Sequence, residues 1–296
     1  MKWKRIPLGA ILVALLISGA GMGQNLDALA ERFSGPNAAP YFKPLVSGAA
    51  AGLNAGLFYS ARIPRGGLHI DIRLNGMAAT FSEDQRTFTA STDGDFSPAS
   101  SVETPTVIGD GTGAVVTGAG GSRYVFPGGY DLDALGLVAP TVTLGSLWGT
   151  EMLVRFVDIR INEDIGNLDL LGLGIRHSLS QYWSDGPLAV SAGVAWHRFR
   201  LGDLVDMDLY TAHIEAGRAW SVFDVYGGLS LGGGGADLEY TFTANGEELP
   251  VDISIDTGTQ VQAVVGGTIN LLMLHLNADY RVGSQNLLCV GVSLGL

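Results

Sequence analysis

The chain has a single cysteine, few positive charges and no long apolar run beyond its N-terminus. Cys289 stands alone, which excludes an internal disulfide and any CxxC metal or redox site. The formal net charge is −12, a sign that disfavours binding to nucleic acid. No GxSxG, HExxH or P-loop motif is present. We therefore predict no catalytic, cofactor or metal site and no nucleic-acid partner.

Apolar residues and glycine are abundant instead. The hydrophobic fraction is 47%, the mean hydropathy is +0.27, and 43 residues are glycine. A transmembrane β-barrel reconciles an apolar composition with short apolar runs, because alternation spreads the apolar residues over many strands. Glycine suits curved strands and tight turns. The composition therefore favours an all-β, antiparallel barrel.

Residues 1–23 are typical of a signal peptide. Lys2, Lys4 and Arg5 precede an apolar stretch over residues 6–17, and small residues follow up to Gly23. The stretch is shorter than the roughly 20 apolar residues of a spanning helix. No cysteine lies directly after this stretch, so the pattern is not that of a lipoprotein signal. We predict export, with the bacterial outer membrane as destination.

Residues 24–50 have a helical pattern. Leu26, Leu29 and Phe33 fit one face of a short helix, which Gly35 and Pro36 would end. A helix at this position could plug the lumen of a barrel. It could equally be a loosely packed lead-in segment. Both alternatives stay open.

Residues 51–296 carry the strand signal, which is alternation of apolar and polar residues. The candidate strands are residues 53–63, 68–75, 138–147, 152–161, 168–179, 188–200, 207–219, 223–242, 251–266, 272–281 and 288–296. Single-chain bacterial barrels have an even number of strands, with both termini in the periplasm. One strand hidden in residues 81–137 would make about 12. Fourteen would need a strand split differently, and ten would result if the first pair belonged to a plug.

Residues 81–137 interrupt the alternation. They are rich in Ser, Thr, Gly and Pro, and so long an irregular stretch is unusual unless it has a function. We predict an insertion that acts as a plug or loop, with a poor strand candidate at residues 107–116 and a helical turn at 130–137. The long pair 223–242 and 251–266 should project beyond the bilayer, because a membrane strand needs only about 9–11 residues.

The last two strands form the hairpin that should close the barrel. Leu288, Val290 and Val292 share one face of the final strand, and Cys289 and Gly291 share the other. In lipid an open sheet edge cannot remain unpaired, so this strand must meet the start of the barrel. Aromatic residues that we place near strand ends, as in interfacial girdles, are Trp148, Tyr182, Trp183, Trp196 and Trp220.

Charged residues at alternate strand positions should line the lumen. The candidates are His69, Asp71, Arg73, Arg155, Arg176, His213, Glu215, His275, Asp279 and Arg281. His69, Asp71 and Arg73 share one face and could form a catalytic set, although a salt-linked wall is the commoner arrangement. A barrel enzyme would also need a Ser–His pair at one rim, such as His177 with Ser178 or Ser284.

Several stretches resemble a family of uncharacterised outer-membrane β-barrel proteins from Gram-negative bacteria. They are residues 52–62 (GLNAGLFYSAR), 104–109 (TPTVIG), 126–129 (FPGG), 139–156 (APTVTLGSLWGTEMLVRF) and 171–181 (LGLGIRHSLSQ). The resemblance implies an outer-membrane barrel without an assigned activity. A looser, architectural likeness is to fatty-acid and hydrocarbon channel barrels, which also begin with a helical plug.

Residues 289–296 are similar to the C-terminal signal that the barrel-assembly machinery recognises. Gly291 occupies its third position, and Leu294 and Leu296 its last alternate apolar positions. The chain ends on Leu where Phe or Trp is usual, and begins the signal with Cys289. The resemblance implies that this machinery is a partner, together with outer-membrane lipid and lipopolysaccharide.

Two functions remain from the sequence. The first is a passive channel for small, possibly hydrophobic molecules, which predicts a plug and an apolar lumen pocket. The second is a non-conducting structural or adhesive barrel, which predicts dense pairing of Arg with Asp or Glu inside and no continuous pocket. The channel is our main prediction, and an outer-membrane enzyme is less favoured than either of these two functions.

Overall fold

Ten antiparallel strands form a closed barrel around residues 38–65. The computed structural model describes residues 36–295, except 93–95, 163–164, 184–185 and 245–246. The predicted signal peptide, the helical pattern over residues 24–35 and Leu296 lie outside the described residues. One helix, α1 (Ala38–Leu53), precedes the strands.

The strands are β1 (Gly66–Thr80), β2 (Thr87–Ser91), β3 (Ser101–Pro105), β4 (Val115–Thr117), β5 (Arg123–Val125), β6 (Ala134–Leu147), β7 (Thr150–Asn162), β8 (Gly166–Ser178), β9 (Ala189–Leu201), β10 (Val205–Ala219), β11 (Phe223–Ala244), β12 (Glu247–Asp256), β13 (Gln260–Leu271), β14 (Leu274–Gly283) and β15 (Asn286–Gly295). The sheet order is β10-β9-β8-β7-β6-β1-β15-β14-β13-β11, and pairing of β10 with β11 closes the ring. The eleventh strand of the sheet, β12, pairs with the far end of β11.

The strand number corrects the prediction of about 12, and the alternative of ten is the one found. Residues 53–63 are not a strand: Leu53 ends α1, and the following residues run irregularly through the lumen. The predicted strand 251–266 is two strands, because residues 257–259 break it between β12 and β13. The predicted helical turn at 130–137 is also wrong, because β6 begins at Ala134.

The insertion between β1 and β6 contains two small hairpins, β2–β3 and β4–β5. The strand candidate at residues 107–116 is wrong for most of its length, since only its last two residues enter β4. We call the barrel end that carries residues 81–133 and the β11–β12 hairpin the loop mouth. The opposite end, where β15 stops and β1 starts, has mostly short connections, and we call it the turn mouth.

Side chains alternate between the lumen and the outside along every barrel strand, as the pleat requires. On β15 the outward residues Leu288, Val290 and Val292 are 50%, 51% and 42% exposed, whereas Cys289 is buried. β15 pairs with β1 in the register Val290 to Gly76, so the closing hairpin does meet the first barrel strand. Among the described residues, no helix is long and apolar enough to cross a membrane.

An apolar surface surrounds the barrel. Its exposed members include Leu74, Phe156, Leu173, Val194, Tyr210, Ile214, Leu229, Val265, Leu276 and Val290. Trp148, Tyr182, Trp183 and Trp220 are exposed at the turn mouth. Trp196 is a correction, because it lies mid-strand on β9 opposite Leu173 and not at a strand end.

Candidate functional site

The lumen is occupied by residues 38–65, which we call the plug. The plug starts at the loop mouth, where the Asn37 side chain bonds the backbone of Ser91 in both directions (2.7 and 3.0 Å). It ends at the turn mouth, where the Gly149 backbone N–H donates to the Arg65 carbonyl (3.1 Å) and the Ser146 hydroxyl donates to the Pro64 carbonyl. The described chain therefore runs through the whole barrel before β1 begins.

The half of the lumen nearest the loop mouth is apolar. Its wall residues include Met77, Ala79, Leu137, Ala139, Val157, Leu168, Leu170, Met207, Leu209, Leu287 and Cys289. They pack against α1, whose buried residues are mostly alanine and glycine. A Cβ on Gly48 would lie 2.8 Å from the Phe81 ring, and one on Gly52 would lie 2.5 Å from the Leu137 side chain. Small residues therefore allow the helix to fit.

The other half of the lumen is polar, and all ten sequence-derived candidates lie on its wall. Asp71, Arg73, Arg155, His213, Glu215, Asp279 and Arg281 are buried, and Arg176, His69 and His275 are partly buried. His69 and His275 lie nearest the turn mouth. The Glu151 carboxylate bonds the His69 ring at 3.1 Å, and the Asn270 side chain bonds the His275 ring at 2.7 Å.

Backbone carbonyls of the plug face this polar wall. Residues 54–63 form no helix or strand, so their carbonyls need partners from elsewhere. Wall side chains supply them: Arg155 donates to Leu53, Ala55 and Gly56, Arg176 to Ser60, Ser191 to Ala61, and Thr268 to Tyr59. The wall is thus built to hold an irregular chain segment, in the way that a sheet neighbour would hold a strand.

Arg155 is the central contact of the plug. Its guanidinium is fully buried and donates to the carbonyls of Leu53 (2.7 Å), Ala55 (2.7 Å) and Gly56 (2.8 Å). Its Nε donates to the Thr141 hydroxyl at 3.0 Å. The first of these carbonyls ends α1, where a positive charge also complements the helix dipole. Gly56 has a φ of +63°, which favours glycine at the turn that Arg155 binds.

Replacing Arg155 by Met is expected to destabilise the folded chain by at least about 3 kcal/mol. The substitution keeps an unbranched side chain but leaves three buried carbonyls without a donor, and each unpaired group costs about 1–3 kcal/mol. Urea unfolding in detergent micelles measures the loss. The matched control is Arg160→Met, since Arg160 is on the same strand but points outward, and surface changes usually stay within about 0.5 kcal/mol. Equal stabilities for the two variants would contradict the assigned role.

Arg176 links the plug to two carboxylates. Its guanidinium pairs with Glu151 at 2.6 Å and with Glu215 at 3.1 Å, and it donates to the Ser60 carbonyl at 2.5 Å. Glu215 also accepts from the Ser191 hydroxyl at 2.8 Å. A buried charge needs a partner and further hydrogen bonds, and here the plug backbone supplies one of them. The arrangement holds the plug in place.

Two further ion pairs flank the plug aromatics. Asp71 pairs with Arg73 at 3.0 Å, and the Arg73 guanidinium lies 4.3 Å from the centre of the Tyr59 ring. Asp279 pairs with Arg281 at 3.1 Å. Cations over aromatic faces are favourable, more so away from water. Both arginines are thus paired with an acidic residue two positions away, and both lie near an aromatic ring of the plug.

Phe58 of the plug lies among wall groups of both kinds. Its ring centre is 5.6 Å from that of Tyr226 and 5.1 Å from that of His213. The guanidiniums of Arg281 and Arg176 lie 5.6 and 5.9 Å from it. The plug is therefore recognised by side chain as well as by backbone.

Several functional residues were missed from the sequence. They are Glu151, Ser191, His197, Thr268 and, on the plug, Asn54, whose side chain bonds the His197 ring at 3.2 Å. Ser191 and His197 occupy inward positions within the predicted strand 188–200, so strict alternation would have included them. Glu151 and Thr268 lie just outside the predicted strands 152–161 and 251–266 and were missed with the strand ends. Asn54 and the plug carbonyls carried no such signal.

The catalytic alternatives do not assemble. The His69 ring bonds Glu151 and not Asp71, and the His177 ring bonds the Thr150 and Tyr182 hydroxyls. Ser284 lies at the loop mouth, at the opposite end of the barrel from His177. In the described ranges, no group of three His, Cys, Asp or Glu could hold a metal ion.

Two phenols, the buried Tyr41 and the partly buried Tyr130, lie where the plug meets the loop mouth. The Tyr41 hydroxyl donates to the Gly128 carbonyl at 2.9 Å. Burial raises the pKa of Tyr41 well above its ordinary value, and the nearby Tyr130 raises it further. Burial also raises the pKa of Tyr130. Both phenols therefore stay neutral and act as structural groups.

Comparisons with known proteins give one family and a set of remote structures. The translocator domain of the autotransporter NalP from Neisseria meningitidis is 12% identical, over 87% of this chain and 99% of that chain, with a TM-score of 0.31. The toluene transporter TbuX of Ralstonia pickettii is 6% identical, over 83% of this chain and 93% of that chain, with a TM-score of 0.28. A mutant porin of Rh. blastica is 11% identical, over 78% of this chain and 99% of that chain, with a TM-score of 0.21. No curated protein matches.

The family assignment is independent of these structures. The model of a family of unknown function, DUF6588, matches residues 1–296, which is the whole of the sequence. The chain therefore belongs to the DUF6588 family, whose function is unknown.

Proposed function

We propose that the protein spans the outer membrane as a sealed barrel that does not conduct while its plug is in place. In this role it is an anchor that presents the loop-mouth structure outside the cell. The observation that carries the proposal is the binding of the plug backbone by Arg155 and the other donors of the polar wall. Dense pairing of Arg with Asp and Glu accompanies it, as in Arg176 with Glu151 and Glu215.

The apolar outer surface supports the membrane placement. A water-soluble barrel would expose polar side chains there, whereas Leu173, Val290 and their neighbours are about half exposed and apolar. Exposed tryptophans at the turn mouth, such as Trp148 and Trp220, suit an interfacial girdle. The predicted signal peptide agrees with this destination.

The lengths of the connections support an orientation. Outer-membrane barrels have short periplasmic turns and longer extracellular loops, so the loop mouth would face outside. β15 ends at the turn mouth, which in this orientation would face the periplasm. Ala38, where α1 begins, lies at the loop mouth, which in this orientation would face outside. The plug would then run through the lumen from the outer side of the membrane to the periplasmic side.

The fit of the plug supports sealing. A cavity between plug and wall, next to Leu57, Arg73 and Thr143, has a volume of about 20 Å³. That volume holds about one water molecule. A hydrated ion or a small solute would need the plug to move.

A channel for small hydrophobic molecules is the second candidate, and one observation favours it. Displacement of α1 would uncover the apolar half of the lumen, including Leu137, Val157 and Leu209. A passage with that lining would suit apolar solutes. Among the described residues, the plug is held by non-covalent contacts alone, so its movement would break hydrogen bonds but no covalent bond.

The purified full chain is expected to give no conductance steps in planar lipid bilayers. The plug, which Arg155 and Arg176 hold, should block hydrated ions from the lumen. Incorporation is verified by recovery of the folded chain from the same membrane. Steady open-channel currents from the intact chain would refute the sealed barrel and favour the channel.

A further inference from the structure

Bulky apolar residues stand at every connection of the turn mouth. They are Leu68 at the start of β1, Trp148 between β6 and β7, Tyr182 between β8 and β9, Trp220 between β10 and β11, and Leu272 between β13 and β14, and we call them the turn-tip residues. Leu272 is 98% exposed and Leu68 is 88% exposed, the two highest values among the large hydrophobic residues of the described chain. Apolar side chains exposed together in this way mark a contact surface.

Turn geometry does not account for two of the turn-tip residues. Trp148 has a φ of +51° and Leu272 a φ of +58°. Positive φ is unfavourable for bulky side chains, so tight turns that need it favour Gly, Asn or Asp. The other non-glycine residue with positive φ in the described chain is Asp131, at the loop mouth, which is of the favoured type. An apolar environment therefore explains Trp148 and Leu272 better than the folding of the turns does.

The turn-tip residues are distributed around the whole rim. In the order of the sheet they fall at β8 and β9, at β6 and β7, at β1, at β13 and β14, and at β10 and β11, so each sector of the barrel carries one. A partner protein docked beside the barrel would cover one sector. A bilayer, in contrast, surrounds a barrel on all sides. The distribution therefore favours lipid over a protein partner.

The apolar outer surface of the barrel continues into these turns. On β13 the outward Val265 and Leu271 lead directly to Leu272. Towards the loop mouth the exposed outward positions are charged instead, as Asp158 on β7 and Asp208 on β10 show. The apolar surface is thus displaced towards the turn mouth, and it includes the turns.

The height of the wall agrees with this placement. From Asp208 to Arg218, β10 rises about 34 Å along the strand, or about 26 Å along the membrane normal at a tilt of about 40°. The apolar band of outer-membrane barrels is about 25 Å tall. Trp220 follows Arg218 closely and so falls in the headgroup layer. The Arg218 guanidinium lies 5.5 Å from the centre of the Trp220 ring, from where it can extend to lipid phosphates.

We propose that the turns of the turn mouth are immersed in the headgroup layer of the membrane and that phospholipid is their partner. The proposal rests on the membrane-spanning barrel proposed above and adds what the turn mouth contacts. Tyr and Trp rings suit the boundary between acyl chains and headgroups, because one part of each ring is apolar and another is polar. Anchors at this boundary fix the depth and the tilt of a membrane protein.

The test measures the depth of two turn-tip positions in a bilayer. Leu272→Cys and Trp148→Cys, which lie in different sectors of the rim, are each introduced into the full chain in a Cys289→Ala background and labelled with a fluorescent maleimide. The labelled chains are reconstituted in phosphatidylcholine nanodiscs, where solvent reaches both mouths. The quenchers are iodide in water and phosphatidylcholine with a nitroxide on its headgroup or its acyl chain. Circular dichroism verifies the fold.

Two control positions calibrate the quenching. Val290→Cys places the label on the outward face of β15, and Ala119→Cys places it at an exposed position between β4 and β5 at the loop mouth. The headgroup nitroxide is expected to quench the Leu272→Cys and Trp148→Cys labels at least about twofold more than the Ala119→Cys label, and iodide at least about twofold less.

Equal iodide quenching at the turn and loop positions would show that the turns lie in water and would overturn the proposal. Protection of either turn label from iodide and from both nitroxide lipids would overturn it too, because protein would then cover that turn. If the acyl-chain nitroxide fails to quench the Val290→Cys label, the membrane-spanning barrel itself is refuted. If it quenches that label while the turns respond to iodide alone, only the immersion of the turns is refuted.

Discussion

Deletion of residues 24–65 is expected to turn a silent barrel into a conducting one. The deletion keeps the predicted signal peptide and all ten barrel strands but removes α1 and the irregular segment that Arg155 and Arg176 hold. Side chains alone fill barrels of about eight strands. A ten-stranded wall with polar residues over half its height should therefore admit water and ions. Planar-bilayer recordings should show discrete conductance steps that the full chain lacks.

The matched control is deletion of residues 24–35, which leaves the whole plug in place and should remain silent. Loss of the buried plug contacts makes the larger deletion less stable, so its incorporation as a folded barrel is verified by circular dichroism in vesicles. A folded but silent barrel without residues 24–65 would show that the wall closes by itself. The plug would then not be what seals the lumen.

The substitution Val290→Arg is expected to destabilise the barrel in lipid by about 2–4 kcal/mol, the cost of Arg on the lipid face at the bilayer midplane. Val290 points outward from the middle of β15 and is 51% exposed. On a surface in water the same change would usually cost less than about 0.5 kcal/mol. A lipid-facing and a water-facing surface therefore predict different losses of stability for Val290→Arg.

Urea unfolding in lipid vesicles measures this effect. The control is Leu68→Arg, because Leu68 is exposed at the turn mouth, where Arg costs about 0–1 kcal/mol. If both variants lose the same small amount, the apolar surface does not contact lipid. The membrane placement would then be refuted, whatever the lumen contains.

Alternation was sufficient to predict most of the barrel strands and their faces. On β1, β8, β10 and β15 the outward and inward sets match the sequence pattern. The reason is physical: a pleated strand between an apolar and a polar environment has to alternate. Alternation therefore indicates directly which face of a strand is apolar and which is polar. On β15 it continues to the last described residues.

The same rule failed for residues 53–63. Their alternation is real, but the segment is surrounded by wall on all sides, and its carbonyls are bound by side chains and not by a neighbouring strand. Local sequence does not show which partner a carbonyl will find. Arg155 is about 100 residues away from the carbonyls it binds, so its role became visible only in the fold. The strand count failed for two reasons: this segment belongs to the plug, and the strand predicted to be hidden in residues 81–137 does not join the ring, because β2 to β5 form separate hairpins.

Cys289 offers the most direct measurement of the sealed lumen. It is the chain's single cysteine, it points inward from β15, and it is 1% exposed in the apolar layer that packs against α1. In vesicles, a membrane-impermeant, water-soluble maleimide should leave Cys289 of the full chain unmodified until denaturant is added, and should modify it rapidly after deletion of residues 24–65. Rapid modification of Cys289 in the intact, folded chain would contradict the sealed barrel.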